Sequence, residues 1–257
     1  MPKPTEKDIL LKQIRTRFNK ASKEYALLQD DDCILIGLSG GKDSLMLLKL
    51  LAERSRIYKP RIKVKAAHIQ MSNIPYKSDI DFLQRFCDEL GVELIVTSTG
   101  FDASTDTRKS PCFLCSWNRR KALFTIAQEQ GCNKIALGHN MDDFIETMLM
   151  NITFQGAFSA MAPMMQMRKF PITVIRPLCL VNERDIARYA AMEQYPPQEK
   201  KCPYERSSNR QQMKDLLAHL EQLNPEARYN LWGSMSNIQS ELLPPDIKRN
   251  TNQNEYE

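Results

Sequence analysis

No stretch of this chain stays apolar for the roughly 18 residues that crossing a bilayer requires, so no membrane-spanning helix is expected. The opening "MPKPTEKDILLKQ" lacks an apolar core followed by a cleavage site, which argues against a signal peptide and for a cytoplasmic location. Charge is not strongly one-sided: 36 Lys and Arg against 31 Asp and Glu give a net +5, which suits a polyanionic partner without requiring one. No internal repeat is evident. Seven cysteines without a secretion signal argue against a disulfide framework, and the odd number leaves one over. The glycine loop "LSGGKDS" also lacks the Ser or Thr that directly follows the lysine in a simple NTPase loop, GxxxxGKS or GxxxxGKT. Its lysine is followed by Asp43, which excludes the ordinary γ-phosphate and magnesium arrangement.

What is present reads as one large α/β unit. At 257 residues, 42% hydrophobic and 26% charged, the composition is that of a globular protein with a substantial core. Leu11, Ile14, Phe18, Ala21, Tyr25 and Leu28 mark one apolar stripe on an N-terminal helix whose other faces carry Lys12, Arg15, Arg17, Lys20 and Lys23. "CILIGL" from Cys33 is a continuous apolar run, as expected for a parallel strand covered on both faces. A helix over 43–53, a strand from Ile62, a helix over 78–90 and a strand from Val92 follow. The polar stretch 99–111 reads as a mobile crossover before a helix over 116–130. Next come a short strand "KIALG", a helix over 142–151, and a Met-rich segment, 156–171, without a clean period. This segment reads as a hydrophobic core loop or a plastic cover. The strand "ITVIRPL" and helices over 182–192 and 209–223 close the pattern. Alternating strands and helices predict a doubly wound, mostly parallel α/β sheet of Rossmann-like type with helical elaborations. The expected divisions are an amphipathic helix at 1–30, a nucleotide domain at 31–200, a helical segment at 201–245 and a polar tail at 246–257.

Three constellations can carry chemistry. In the first, Ser39, Gly40, Gly41, Lys42, Asp43 and Ser44 follow a buried strand and open a helix. Two glycines allow a tight turn that aims backbone N–H groups and the helix N-terminus at a phosphate. The hydroxyls and Lys42 add donors, and Asp43 can hold a cation. In the second, "GHNMDDFIET", His139 follows a strand, and Asp142, Asp143 and Glu146 fall in the first helical turns, at the carboxyl-end crevice of an open sheet. These acids suit a magnesium ion bridging nucleotide phosphates, although Asp142 can equally serve as a helix N-cap.

The third constellation is the cysteine set. Cys33, Cys87, Cys132 and Cys179 lie in apolar or helical contexts and read as structural. Cys112 and Cys115, at CxxC spacing after Pro111, and Cys202, before Pro203, sit in polar surroundings. A helix starting at the CxxC favours thiolate. Three cysteines without a clear fourth ligand suit a 4Fe-4S cluster with one open iron, while a zinc site completed by His68, His139 or an acid, and a redox dithiol, stay open. Arg119, Arg120 and Lys121 after the CxxC, and Arg206 and Arg210 after Cys202, place positive charge beside both cysteine sites, where RNA would run. From sequence, Trp117 is either a core residue or a stacking surface for a base.

"SGGKDS" resembles the signature of the PP-loop ATP pyrophosphatases. Together with "PCFLCSWNRRKAL", "LGHNMDDFIETMLMN", "VIRPLCLVNERDIARYA", "CPYERSSNRQQMKDLL" and "LWGSMSNIQSELLP", it is similar to the tRNA 2-thiocytidine synthetases within that family, in order from about residue 10 to residue 243. The resemblance implies an iron-sulfur tRNA thiolase. Such an enzyme uses ATP and magnesium to adenylate the C2 oxygen of an anticodon-loop cytidine, then replaces that oxygen with sulfur. It implies 4Fe-4S ligation by Cys112, Cys115 and Cys202, ATP binding by residues 39–44 with His139 and Asp143, and magnesium near Asp43, Asp142 and Asp143. It also implies tRNA as partner, a sulfur donor such as a cysteine desulfurase, and a homodimer. Where family members often read CxxC at the last site, this chain has Cys202-Pro203-Tyr204-Glu205. The extra CxxC pairs of the uridine-thiolating relatives are absent.

Overall fold

The structure is a computed structural model that describes residues 3–74, 78–102, 111–168, 170–196 and 209–244. Cys202, Arg206, most of the 99–111 crossover and the polar tail lie outside the described residues. Among those described, no helix is long and apolar enough to cross a membrane.

The elements run α1 (Glu6–Glu24), β1 (Asp32–Gly37), α2 (Lys42–Ser55), β2 (Ile62–Met71), α3 (Ile80–Leu90), β3 (Glu93–Thr99), α4 (Pro111–Glu129), β4 (Lys134–Ala136), α5 (Met141–Gln155), β5 (Met164–Gln166), β6 (Thr173–Ile175), α6 (Glu183–Met192), α7 (Asn209–Leu223) and α8 (Ala227–Ser234). The sheet order is β3-β2-β1-β4-β6-β5. All pairings are parallel except β5 with β6. Because β2 lies on one side of β1 and β4 on the other, the chain reverses direction across the sheet at β1. That topological switch opens a crevice beyond the carboxyl ends of β1 and β4.

The continuous apolar run of β1 follows from its burial on both faces. Ile34 and Ile36 join the core with α1, α2, α3 and α6, while Leu35 joins Phe124, Ile126 and Ala127 of α4 on the other face. A third cluster joins Phe144 and Ile145 of α5 to Leu217 of α7, with Trp232 of α8 against it. On α1 the buried stripe is Leu10, Ile14, Phe18 and Ala21, and Leu11 is only partly buried. Its basic face is anchored in part: Arg15 pairs with Glu53 at 2.9 Å and Arg17 with Asp185 at 2.6 Å.

Three local features depart from the sequence expectation. Helix α4 starts at Pro111, five residues before the start at 116 that the apolar pattern gives and in keeping with a helix that opens at the CxxC, because proline is well suited to the first helical position, where no N–H is needed. The Met-rich segment is neither core nor irregular throughout. It contains the edge strand β5, whose Met164 and Met165 are both 42% exposed. Helix α8 was not expected.

Candidate active site

The glycine loop turns as its residues dictate. Gly40 has φ 87°, in the left-handed region that favours glycine. Gly41 caps α2 in extended conformation without a side-chain hydrogen bond, which leaves the first N–H groups of α2 directed into the crevice. Within the loop, the Gly41 N–H donates to Ser39 Oγ at 3.3 Å, and Ser44 Oγ donates to the Gly41 carbonyl at 2.9 Å. Ser39 Oγ also lies 3.1 Å from Ser44 Oγ.

The loop after β4 packs directly on this turn. A Cβ on Gly138 would sit 3.1 Å from both Asp43 C and Ser44 N, so glycine there permits the close approach. Asn140 then donates from Nδ2 to Asp43 Oδ1 at 3.0 Å, locking the two loops together. Asn140, and not Asp142, is the N-cap of α5. Its side chain accepts from the Asp142 and Asp143 N–H groups, and Asp143 returns a bond to the Asn140 N–H at 2.9 Å. Asp142 faces inward: one oxygen accepts the Glu183 N–H at 2.8 Å and the other pairs with Arg228 of α8. Asp142 therefore ties α5 to α6 and α8, whereas Asp43, Asp143 and Glu183 keep part of their side chains exposed, at 26%, 21% and 23%.

Lys42 is held by two carboxylates, Asp43 and Glu183, each at 2.9 Å from Nζ. Burial opposes its charge, yet these partners keep its pKa above the ordinary lysine value. Glu183 in turn accepts from Lys214 of α7 at 2.6 Å. Arg210, one turn earlier on α7, lies 3.5 Å from Asp143 and 3.2 Å from Glu146. Burial pushes Glu146 up to about 7, with Arg210 pulling the other way. The structure thus turns Arg210 toward acids of the crevice. Two cations on α7 connect this helix, which follows the Cys202 segment, to the glycine loop and to α5.

A cavity of about 320 Å³ opens beside the loop, lined in part by Ser39, His68, His139, Ser116, Arg119 and Arg120. Two neutral histidines present opposite groups to it. His68 is buried and lies with Nδ1 2.7 Å from the Leu38 carbonyl, an acceptor only, so Nδ1 carries the hydrogen and Nε2 is left as an acceptor. Burial and the nearby Arg119 lower its pKa. At His139 the logic reverses: Arg176 Nε, a donor only, meets Nδ1 at 3.3 Å, so Nε2 carries the hydrogen. Burial first, then Arg176, Arg210 and Arg120, bring His139 down to about 4. His139 is a neutral hydrogen-bond donor at neutral pH and does not serve as a charged group.

The cysteines separate into two populations. Cys87, Cys132 and Cys179 are buried, and burial pushes each thiol up to about 12, which makes them inert. Cys33, half-buried, packs against Cys132 with the sulfurs 2.8 Å apart. Cys112 is exposed and Cys115 half-buried, one helical turn apart at the start of α4. Among the described residues no three His, Cys, Asp or Glu side chains gather into a metal-binding group, so neither His68 nor His139 completes a zinc site with these two thiols. Two thiols one helical turn apart are soft ligands that fit a share in an iron-sulfur cluster. Arg119 lies beside His68 in the cavity wall, while Arg120 and Lys121 are exposed on the same helix.

Comparison with known proteins identifies the family. A family model described as PP-loop domain matches residues 10–220. The chain is 38% identical over 245 residues to the tRNA-cytidine(32) 2-sulfurtransferase of Geotalea daltonii, covering 92% of this chain and 95% of that one. It is 35% identical over 242 residues to the enzyme of the same name from Geobacter sulfurreducens, with coverage of 92% and 93%. Among solved structures, the U34-tRNA thiolase NcsA from Methanococcus maripaludis, determined with its 4Fe-4S cluster, matches with TM-score 0.73 at 27% identity, over 90% of this chain and 78% of that one. A glycine turn without the NTPase serine or threonine, an acid-rich loop locked to it and a CxxC on the helix whose Ser116, Arg119 and Arg120 line the neighbouring cavity are explained together by one conclusion: the chain belongs to the PP-loop family and is closely homologous to its tRNA-cytidine(32) 2-sulfurtransferases.

Proposed function

We propose that this chain is an ATP-dependent tRNA sulfurtransferase that converts a cytidine at position 32 of tRNA into 2-thiocytidine, the activity named for its relatives. The observation that carries the reading is the sharing of one cavity. Ser39 of the SGGKDS turn, neutral His139, and Arg119 and Arg120, which follow the CxxC, all line it. Adenylation and sulfur delivery can therefore act on one base without its release.

ATP would lie with its phosphates on the uncapped N-terminus of α2, bonded by the Ser39 and Ser44 hydroxyls and by the His139 Nε2–H. The C2 oxygen of the target attacks the α-phosphorus. The bond to the β-phosphate breaks, and pyrophosphate departs with the bonding pair. Lys42, the cation of the glycine loop itself, would balance part of the charge that grows on it. Lys42 would exchange part of its bonding to Glu183 for phosphate. His68 Nε2 accepts from an amino or hydroxyl group of whichever base or ribose enters the cavity. A sulfur nucleophile then adds at C2 and AMP leaves, a far better leaving group than the original carbonyl oxygen. Magnesium, held by Asp43 and Asp143, would supply Lewis-acid stabilisation of the phosphates. The 4Fe-4S cluster, held by Cys112, Cys115 and Cys202, would supply the soft-metal site for sulfur delivery; the nucleophile is sulfide, which a donor of cysteine desulfurase type can supply once a two-electron reductant, such as an external dithiol, has reduced its persulfide.

The test is anaerobic iron, sulfide and zinc analysis of the purified protein, together with its visible spectrum. About four irons and four sulfides per chain, lost on Cys112→Ser, are expected for such a cluster. One zinc per chain without sulfide, persisting after attempted reconstitution, would overturn the cluster assignment.

A further inference from the structure

The cavity accounts for Arg119 and Ser116 on α4 but not for the two large aromatic side chains of its first turns. Phe113 is 46% exposed and Trp117 55% exposed. They stand four residues apart, so they share one face of the helix. Their rings are stacked, with planes within 9° and centroids 6.5 Å apart. Scattered exposed apolar residues need no explanation, and an i,i+4 aromatic pair steadies a helix by only about 0.2–0.5 kcal/mol. Aliphatic residues would do as well for that purpose. Here both rings are large and flat, nearly parallel, and interleaved with the candidate cluster ligands: Phe113 follows Cys112, and Trp117 comes two residues after Cys115. The cations Arg119, Arg120 and Lys121 follow directly, with Arg120 and Lys121 exposed.

A π-face beside a cationic stripe is the chemistry that holds unpaired nucleic acid: the ring stacks on a base while the cations take the phosphates. We propose that Phe113 and Trp117 form a stacking subsite for an unpaired nucleobase of an RNA loop, one that flanks the base being modified. This inference rests on the tRNA reading above and adds to it where the loop is gripped. The occupant is RNA because the cations beside the rings complement phosphate. Stacking tolerates any base, so the subsite contributes affinity and placement, while the identity of the modified base is decided in the cavity.

Stacking and phosphate contacts leave different thermodynamic marks. A stacked base contributes about 1–3 kcal/mol, or about 5- to 150-fold in affinity, and releases no counterions. A phosphate contact steepens the dependence of affinity on salt. The experiment uses the full-length protein and an unmodified tRNA transcript, with Kd measured across a salt series. Trp117→Ala is expected to weaken binding by about 5-fold or more with the salt slope unchanged, and Trp117→Phe to restore most of the loss. Arg119→Ala with Arg120→Ala should instead flatten the slope. Only two tryptophans are present, and Trp232 packs tilted against Phe144. In a Trp232→Phe protein, tRNA should therefore quench the emission of Trp117. Unchanged affinity in Trp117→Ala, or unquenched emission when tRNA is bound, would overturn the stacking subsite and leave the sulfurtransferase reading standing. A wild-type protein that binds no tRNA would overturn both.

Discussion

The two ends of the sheet carry similar chemistry and put it to opposite uses. At the amino end, Asp32 and Lys134 form an ion pair of 2.7 Å with side chains 2% and 6% exposed. Every strong group there is consumed locally. Asp32 also accepts from Asn133 and from the Gln29 N–H, and Lys134 donates as well to the Leu27 carbonyl. At the carboxyl end, Lys42 forms pairs of 2.9 Å with Asp43 and Glu183, yet the three side chains are 31%, 26% and 23% exposed and face a crevice. Charge and even burial do not mark a site. What marks it is ionised groups whose partners can be exchanged for a ligand's, next to space that the ligand can fill.

The largest effect expected from breaking this contrast is at the amino end. Lys134→Ala leaves Asp32 buried without its counter-charge, which costs about 3–5 kcal/mol. Chemical denaturation should show that loss, while the folded fraction keeps its ability to release pyrophosphate. Asp43→Asn should do the reverse. Pyrophosphate release with tRNA should fall on the order of 10²-fold or more, with little change in the denaturation midpoint, because the amide still accepts from Asn140.

Gly138→Ala probes the join between the two loops. Its new methyl would meet the backbone of Asp43 and Ser44 at 3.1 Å, so a stability loss of about 1–3 kcal/mol is expected, accompanied by a raised KM for ATP. The smallest effect concerns His139. Its folded pKa of about 4 lies below the ordinary 6.5, so the unfolded chain takes up the proton first as pH falls. The stability contributed by the neutral ring is complete above pH 6.5 and is lost as pH drops through the window from 6.5 to 4. His139→Gln should therefore lose stability less steeply than wild type across that window, as measured by melting at stepped pH.

Much of this was legible in the sequence because the signals are local. The apolar run of β1, the glycine turn after it and the strand-His-acid motif after β4 each lie within a few neighbouring residues, and the parallel α/β pattern places them at one end of the sheet. Residues that act through distant partners gave no such signal. Glu183 reaches Lys42 across 141 positions and Arg228 reaches Asp142 across 86, and nothing in the spacing announces either pair. Sequence offers His68 only as a metal ligand, because the carbonyl that fixes its tautomer is that of Leu38, just past the end of the neighbouring strand β1. Strand β5 escaped notice because three exposed residues show no alternation. Helix α8 has no buried residue and contains Gly233, so it offered no apolar stripe.

In the proposed enzyme one cavity both adenylates a cytidine and delivers sulfur to it. The most direct measurement incubates the anaerobically reconstituted protein with ATP, sulfide and a tRNA transcript bearing cytidine at position 32, then analyses the nucleosides by mass spectrometry alongside AMP and pyrophosphate. The expected product is 2-thiocytidine at that position, with one AMP and one pyrophosphate formed for each sulfur installed. Release of AMP and pyrophosphate from a protein shown to hold its cluster, without any thiolated nucleoside, would contradict it.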